Sequence, residues 1–457
     1  MRRAVVVLAL TAAAVAADPA QADVTAVAAD PAQADVTAVA ADPAQADVIT
    51  LKGAPAAGPA KYDKVFVERF GPRKAKRVLV LVPGFYGGAG DFSLVGRDIV
   101  RRVKGLQVWA VDRRSQALED TSGFDTGDPA AAQAYYLGGG GFTPLQGADF
   151  PFVREWGLSV ALRDLRRVVV RARRGDRSVI LGGHSLGAST AAAYAAWDFG
   201  GRPGHRDIDG LVLIDGGAMG TFGTSSPETV ENELVQLDEG DPFADLLGVG
   251  APWAGGILAG LGGLYARELP DERSTFGDSP LLPPALRAPV PVTNAAQLGY
   301  ALDRDTVPVN LRLLAVNAGG LAPAGDPRPW QDDGVTSIAR LARLLARSPV
   351  NATEWYFPAR LRLDLQAASR LRRDAVSRRL GLRTWHRRTI DIPLYAFQTD
   401  LTDGGVLRGA RRLVERSDIP RGSLYRSDAT SHLDPLTAMP RRNPFLRTVV
   451  RFLRRLT

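Results

Sequence analysis

The chain has 457 residues, 45% hydrophobic and 23% charged, with 57 Lys and Arg against 49 Asp and Glu for a formal net charge of +8. This composition excludes a disordered chain, the length admits one large domain with an insertion or two domains, and a modest charge excess without a recognition motif predicts no nucleic-acid partner. The absence of cysteine excludes disulfides, thiolate chemistry and Cys-ligated zinc, and four scattered histidines (His184, His205, His386 and His432) are too few for a multi-histidine metal cluster.

The first stretch, MRRAVVVLALTAAAVAADPAQAD, places two arginines before an apolar run and then small residues, a pattern similar to a secretory signal peptide. The pattern assigns residues 1–22 to such a segment, cut after Ala22 or near Ala17, and predicts a secreted or cell-envelope protein. The apolar run from Ala4 to Ala17 is short for a membrane span. DPAQADVTAVAA occurs at 18–29 and again at 30–41, and DPAQADV recurs at 42–48. A period this short and this poor in bulky residues buries little surface, so residues 23–62 read as a disordered linker.

From residue 63 the pattern changes. KRVLVLVPGF (76–85) and GLQVWAVDRR (105–114) read as buried strands, separated by a helical stretch, DFSLVGRDIVRRV (91–103). A polar, Gly-rich stretch spans 115–150. Leu158, Leu162, Leu165 and Val169 recur at helical spacing within 155–174. RSVILGG (177–183) predicts a strand, ASTAAAYAAWDF (188–199) an alanine-rich helix and IDGLVLIDGG (208–217) another strand. Continuous apolar strands alternating with helices imply an α/β fold with a mostly parallel sheet covered on both faces.

The rhythm breaks near Ala218. Residues 218–390 read as a mainly helical cap inserted in a core that comprises 63–217 and 391–457. The cap holds a Gly-rich apolar stretch (246–266), a segment at 311–325 that admits a strand, and ten arginines between 360 and 388. These arginines read as a solvated face, with attraction of an anionic substrate or surface as the alternative. DIPLYAFQTD (391–400) resumes the strand pattern. A helix at 405–417, a short strand at 422–428 and a closing amphipathic helix at 443–456 follow.

GGHSLGAST (182–190) sits at the junction of a strand and a helix. A serine hydroxyl is a weak nucleophile that needs an adjacent base and a sharp turn to expose it, and glycines beside the turn let the backbone pass close to its neighbours. Gly183-His184-Ser185-Leu186-Gly187 resembles the nucleophile elbow of the α/β-hydrolases in its lipase- and esterase-like form. The resemblance covers roughly 76–217 and 391–457, with the cap between. It implies an α/β-hydrolase fold and a serine hydrolase needing no metal or organic cofactor. VPGFYGG (82–88) stands at the place of the family's oxyanion loop, with Pro83-Gly84 where many members have His-Gly. The oxyanion donors it implies are the backbone N–H groups of Phe85 and Leu186. Tyr86 either lines the pocket or packs in the loop.

The resemblance makes His432 the base, since it lies in a loop between the last strand and the closing helix. His184 is expected to pack beneath the elbow, His205 to be exposed in a polar turn, and His386 to lie in the return from the cap. Asp400, after the first strand beyond the cap, is the first choice for the acid. Asp403 and Asp215 stay open, because all three precede His432. Asp434 is expected to steady the histidine loop. The implied reaction is two-step acyl transfer on a small-molecule or lipid-like ester, with transient contact with a lipid surface. Trp253 and Leu258 are expected either to cover an acyl chain or to pack within the cap. Peptidase or amidase activity, and a catalytically inactive binding protein, remain as alternatives. Asp-nucleophile dehalogenase or epoxide hydrolase chemistry disagrees with Ser185.

Overall fold

The computed structural model describes residues 25–26, 46–348 and 350–456. The segment expected as a signal peptide lies outside the described residues. Nine strands form one sheet: β1 (Thr25–Ala26), β2 (Asp47–Lys52), β3 (Lys64–Phe70), β4 (Arg77–Val82), β5 (Leu106–Asp112), β6 (Ser178–His184), β7 (Gly210–Ile214), β8 (Leu394–Gln398) and β9 (Gly422–Arg426). Across the sheet the order is β1-β9-β8-β7-β6-β4-β5-β3-β2. The pairs from β5 through β1 are parallel, while β3 runs antiparallel to both β5 and β2.

The parallel strands carry unbroken apolar runs because both of their faces are covered. Every residue of β5 and of β7 is buried. Helices 93–102 and 444–455 cover one face, contributing Val95, Ile99, Phe445 and Val449 to the core there. Helices 158–173, 186–196 and 405–415 cover the other. In the closing helix Pro444 occupies the first turn and the Asn443 side chain accepts from the Leu446 N–H, so the helix starts where its apolar face begins. Phe445, Val449, Phe452 and Leu453 are buried, each contributing about 1.5–3 kcal/mol. In helix 186–196 every residue from Gly187 to Ala196 is buried, and its alanines let it lie close against the sheet.

Ordered sheet begins earlier than residue 63. β2 lies inside the segment read as a linker, and its first two residues are the Asp-Val that ends the third repeat copy. Its alternating exposure, with Ile49 and Leu51 packed toward the core, is that of an edge strand with one covered face. Thr25 and Ala26, also inside that segment, pair with Tyr425 and Arg426.

Between β7 and β8 the cap contains helices at 227–239, 254–268, 294–302, 338–345, 359–367 and 375–379. Gly320–Leu321 pairs antiparallel with Trp330–Gln331, the small strand that segment 311–325 admits. The stretch from 115 to 156 joins this layer too. Its helix 129–137 places Gln133 to accept from the Tyr265 hydroxyl at 2.6 Å, and Tyr136 stacks edgewise on Trp355. The cap is therefore built from two excursions of the chain. No helix among the described residues is long and apolar enough to cross a membrane.

Candidate active site

β6 ends at His184 and the next helix starts at Leu186, so Ser185 alone makes the turn. Its backbone sits at φ 55° and ψ −123°, a conformation L-residues rarely adopt and one that surrounding contacts must hold. The Ser185 N–H donates to the Ile214 carbonyl at 2.8 Å. Close backbone approach explains the glycines. A Cβ on Gly183 would lie 2.3 Å from the Gly187 carbonyl carbon, and one on Gly187 would lie 2.0 Å from the Val82 oxygen. Gly216, unmarked by the sequence pattern, is as constrained: its Cβ would meet the Ser185 oxygen at 2.1 Å.

His432 faces Asp215, not Asp400. The Nδ1 of His432 lies 2.6 Å from Asp215 Oδ2, and both side chains are essentially inaccessible. Asp215 also accepts from the Thr399 N–H at 2.8 Å and from the Thr399 hydroxyl. Burial alone would raise the Asp215 pKa. The hydrogen bond and charge of His432, with the two Thr399 donors, instead hold it below the usual carboxylate range. The carboxylate therefore stays ionised and fixes the proton of His432 on Nδ1, leaving Nε2 free to accept.

The other acids have different surroundings. Asp400 Oδ2 accepts from the Ser431 hydroxyl at 3.0 Å and lies 3.6 Å from Arg304. It sits two residues beyond the end of β8 and is partly exposed. Asp403 projects fully into solvent. The physical reason for Asp215 is sheet order: β7 is the immediate neighbour of β6, whereas β8 is one strand further from the serine. Asp434 does steady the loop. It accepts from the Ser431 N–H at 2.7 Å, and it also holds the cap through the Asn317 N–H and the Thr336 hydroxyl at 2.6 Å.

His184 packs beneath the elbow as expected. Its Nε2 donates to the His432 carbonyl at 2.8 Å, and the two rings lie 4.4 Å apart. Burial, then the neighbouring His432, depress its pKa to about 3, so it is neutral. His205 is buried, not exposed, with Nδ1 3.2 Å from the Ala195 carbonyl oxygen. His386 lies 3.0 Å from Asp198, away from the serine.

Ser185 and His432 open onto a cavity of about 120 Å³, whose walls include Phe85, Leu258, Leu286, Leu298 and Leu345. Leu258 thus lines the space, whereas Trp253 packs on Phe142 within the cap. Tyr86 also borders the cavity. Its ring rests on Phe85, and its hydroxyl is buried without a hydrogen-bond partner among the described residues. Asp91 adds a carboxyl to the wall. Burial, then the adjacent Asp112, push its pKa well above the usual range. The N–H groups of Phe85 and Leu186 have no protein acceptor among the described residues. Leu186 opens its helix, where such donors go unpaired within the helix.

No protein-family model matches the chain, and no curated protein matches it by sequence. Solved structures match it in fold. A protein from Sulfolobus solfataricus, provisionally named a lipase, is 15% identical with a TM-score of 0.51, covering 90% of this chain and 94% of that one. A structure described as "Lipase (Open form)" is 15% identical over 90% of this chain and 99% of that one, with a TM-score of 0.44. An epoxide hydrolase from an endophytic Streptomyces is 13% identical over 89% and 95%, with a TM-score of 0.43. At such identities the likeness is one of fold. Together with the sheet and its insertion, it gives this chain an α/β-hydrolase fold with a helical cap.

Proposed function

We propose that the chain is a serine hydrolase that cleaves carboxylic esters by two-step acyl transfer. The observation carrying this reading is the buried Asp215–His432 pair, with His432 and Ser185 both lining one largely apolar cavity. In the proposed reaction His432 Nε2 takes the proton of Ser185 as its oxygen attacks the substrate carbonyl. Asp215 stabilises the imidazolium, and the N–H groups of Phe85 and Leu186 receive the negative oxygen. The proton on His432 passes to the leaving alcohol. A water molecule, deprotonated by His432, then attacks the acyl-serine, and His432 returns that proton to Ser185 Oγ as the acid is released. An apolar cavity of about 150 Å³ admits benzene. The leucine-lined space here is of comparable size and suits an apolar acyl chain. Export to the cell envelope or medium belongs to the same proposal and rests on the N-terminal sequence pattern.

Intact-mass measurement after exposure to a fluorophosphonate, with p-nitrophenyl esters graded in chain length, tests the reading. One adduct that disappears in Ser185→Ala, with turnover favouring short to medium esters, is the expected result. No adduct and no turnover would overturn it.

A further inference from the structure

The loop that carries the Phe85 N–H is gripped from behind by one side chain. Arg113, just past the end of β5, has a side chain only 10% exposed. Its Nη2 donates to the carbonyls of Pro83 and of Gly84, the latter at 3.0 Å, and its Nη1 donates to the Gly87 carbonyl at 3.3 Å. Nη1 also donates to Glu354 Oε2 at 2.6 Å. Glu354 is a cap residue, fully buried, and its other oxygen accepts from the Ser115 hydroxyl. The Glu354 N–H in turn donates to the Tyr86 carbonyl at 2.8 Å. The guanidinium additionally lies over the Phe357 ring, 5.2 Å from its centre.

These contacts fix the direction of one peptide group. In a trans peptide the C=O and N–H point in opposite directions. Gly84 C=O and Phe85 N–H belong to the same peptide. With the carbonyl held by Arg113, the N–H is turned to the opposite side. Gly84 borders the serine, since a Cβ there would lie 3.0 Å from Ser185 Cβ. A planar fork is needed to reach several carbonyls and a carboxylate at once, and an ammonium lacks that geometry.

We propose that Arg113, anchored by cap residue Glu354, is a positioning residue that aims the Phe85 N–H at the oxyanion formed on Ser185. The inference rests on the serine-hydrolase reading above. It also gives the cap a part in the chemistry, because the anchor of the oxyanion loop comes from the insertion and not from the sheet.

The test compares the full-length wild type with Arg113→Lys and Arg113→Ala in steady-state ester hydrolysis and in the rate of fluorophosphonate labelling. Thermal midpoints run alongside. Losing one oxyanion donor costs roughly 10²–10³-fold in kcat. The expected result is a fall in kcat of about 10²-fold in both variants, with little change in KM. Guanidinium ion at low, non-denaturing concentration should restore part of kcat in Arg113→Ala, and ammonium should not. A purely structural role would produce neither the selective loss in kcat nor the rescue. If Arg113→Ala fails to fold, Arg113→Lys decides, because it keeps a cation beside Glu354. A folded Arg113→Lys with wild-type kcat overturns the inference, as does a loss confined to KM. Wild type that labels and turns over while both variants match it overturns this inference alone. Wild type that neither labels nor turns over overturns the functional reading and this one with it.

Discussion

Replacing Asp215 by Asn separates the two acids that sequence order leaves open. The substitution keeps the size of the side chain and its burial, so the comparison is one of charge and donor pattern. At Asp215 three donors converge: His432 Nδ1, the Thr399 N–H and the Thr399 hydroxyl. An asparagine satisfies the Thr399 N–H with its oxygen and so presents its NH₂ group to His432 Nδ1. Nδ1 must then accept, the ring proton moves to Nε2, and Nε2 can no longer take the serine proton. The same exchange in a Ser-His-Asp protease lowers kcat by about 10⁴-fold. At 1.36 kcal/mol per decade that is roughly 5 kcal/mol of barrier. Asp400→Asn removes only a half-exposed contact with Ser431 and Arg304, and should change kcat by no more than a few-fold. Ester hydrolysis normalised to fluorophosphonate-titratable serine, with circular dichroism to verify folding, reads both. Asp215→Asn within about tenfold of wild type beside a collapse in Asp400→Asn would refute the reasoning.

Three further outcomes follow from the geometry. Leu298→Trp, which fills part of the cavity, should lower kcat/KM for hexanoate esters by at least about tenfold while sparing acetate, and a chain-length series checks this. Gly183→Ala forces a Cβ against the Gly187 backbone and should destabilise the fold by about 1–3 kcal/mol in denaturant titration, even before activity is measured. Asp434 is pushed up to about 7 by burial, against the opposing Thr336, Ser431 and Asn317 donors. The folded chain then keeps a proton that the unfolded chain releases, so this group's contribution is fully present below about pH 4 and is lost as pH rises through about 7. Asp434→Asn, which resembles the protonated acid, should flatten that part of the melting-temperature profile.

The parallel strands and their helices were legible because each is a continuous apolar run or a regular amphipathic stripe. Val78–Val82 needs no tertiary information to be read as buried strand. β3 was not, because KVFVERF places Glu68 where the strand is buried, and the Arg347 side chain that donates to it comes from the distant cap. β2 was hidden by its overlap with a repeat whose earlier copies carry no apolar side chain larger than valine. At the candidate site, local pattern and chain position singled out Ser185 and His432, which the fold brings to one cavity. The carboxylate that meets His432 could not, because Asp215 and Asp400 both follow buried strands, and the lateral order of β7 and β8 distinguishes them. Arg113 and Glu354 carry no local signal at all: they are 241 positions apart and meet only in the folded chain.

The Asp215–His432 contact spans 217 positions, with the entire insertion lying between the two residues. Everything else assigned to the chemistry before that insertion (the loop at 83–87, the elbow, the acid) is a contiguous block. A nascent chain that has assembled this block still has a serine without a base. In the proposed mechanism its nucleophile becomes competent only when the segment after β9 docks, late in vectorial synthesis. A hydrolase working in the proposed way is switched on by the completion of its own folding, and a truncation anywhere beyond Asp215 that removes His432 is expected to leave a silent nucleophile.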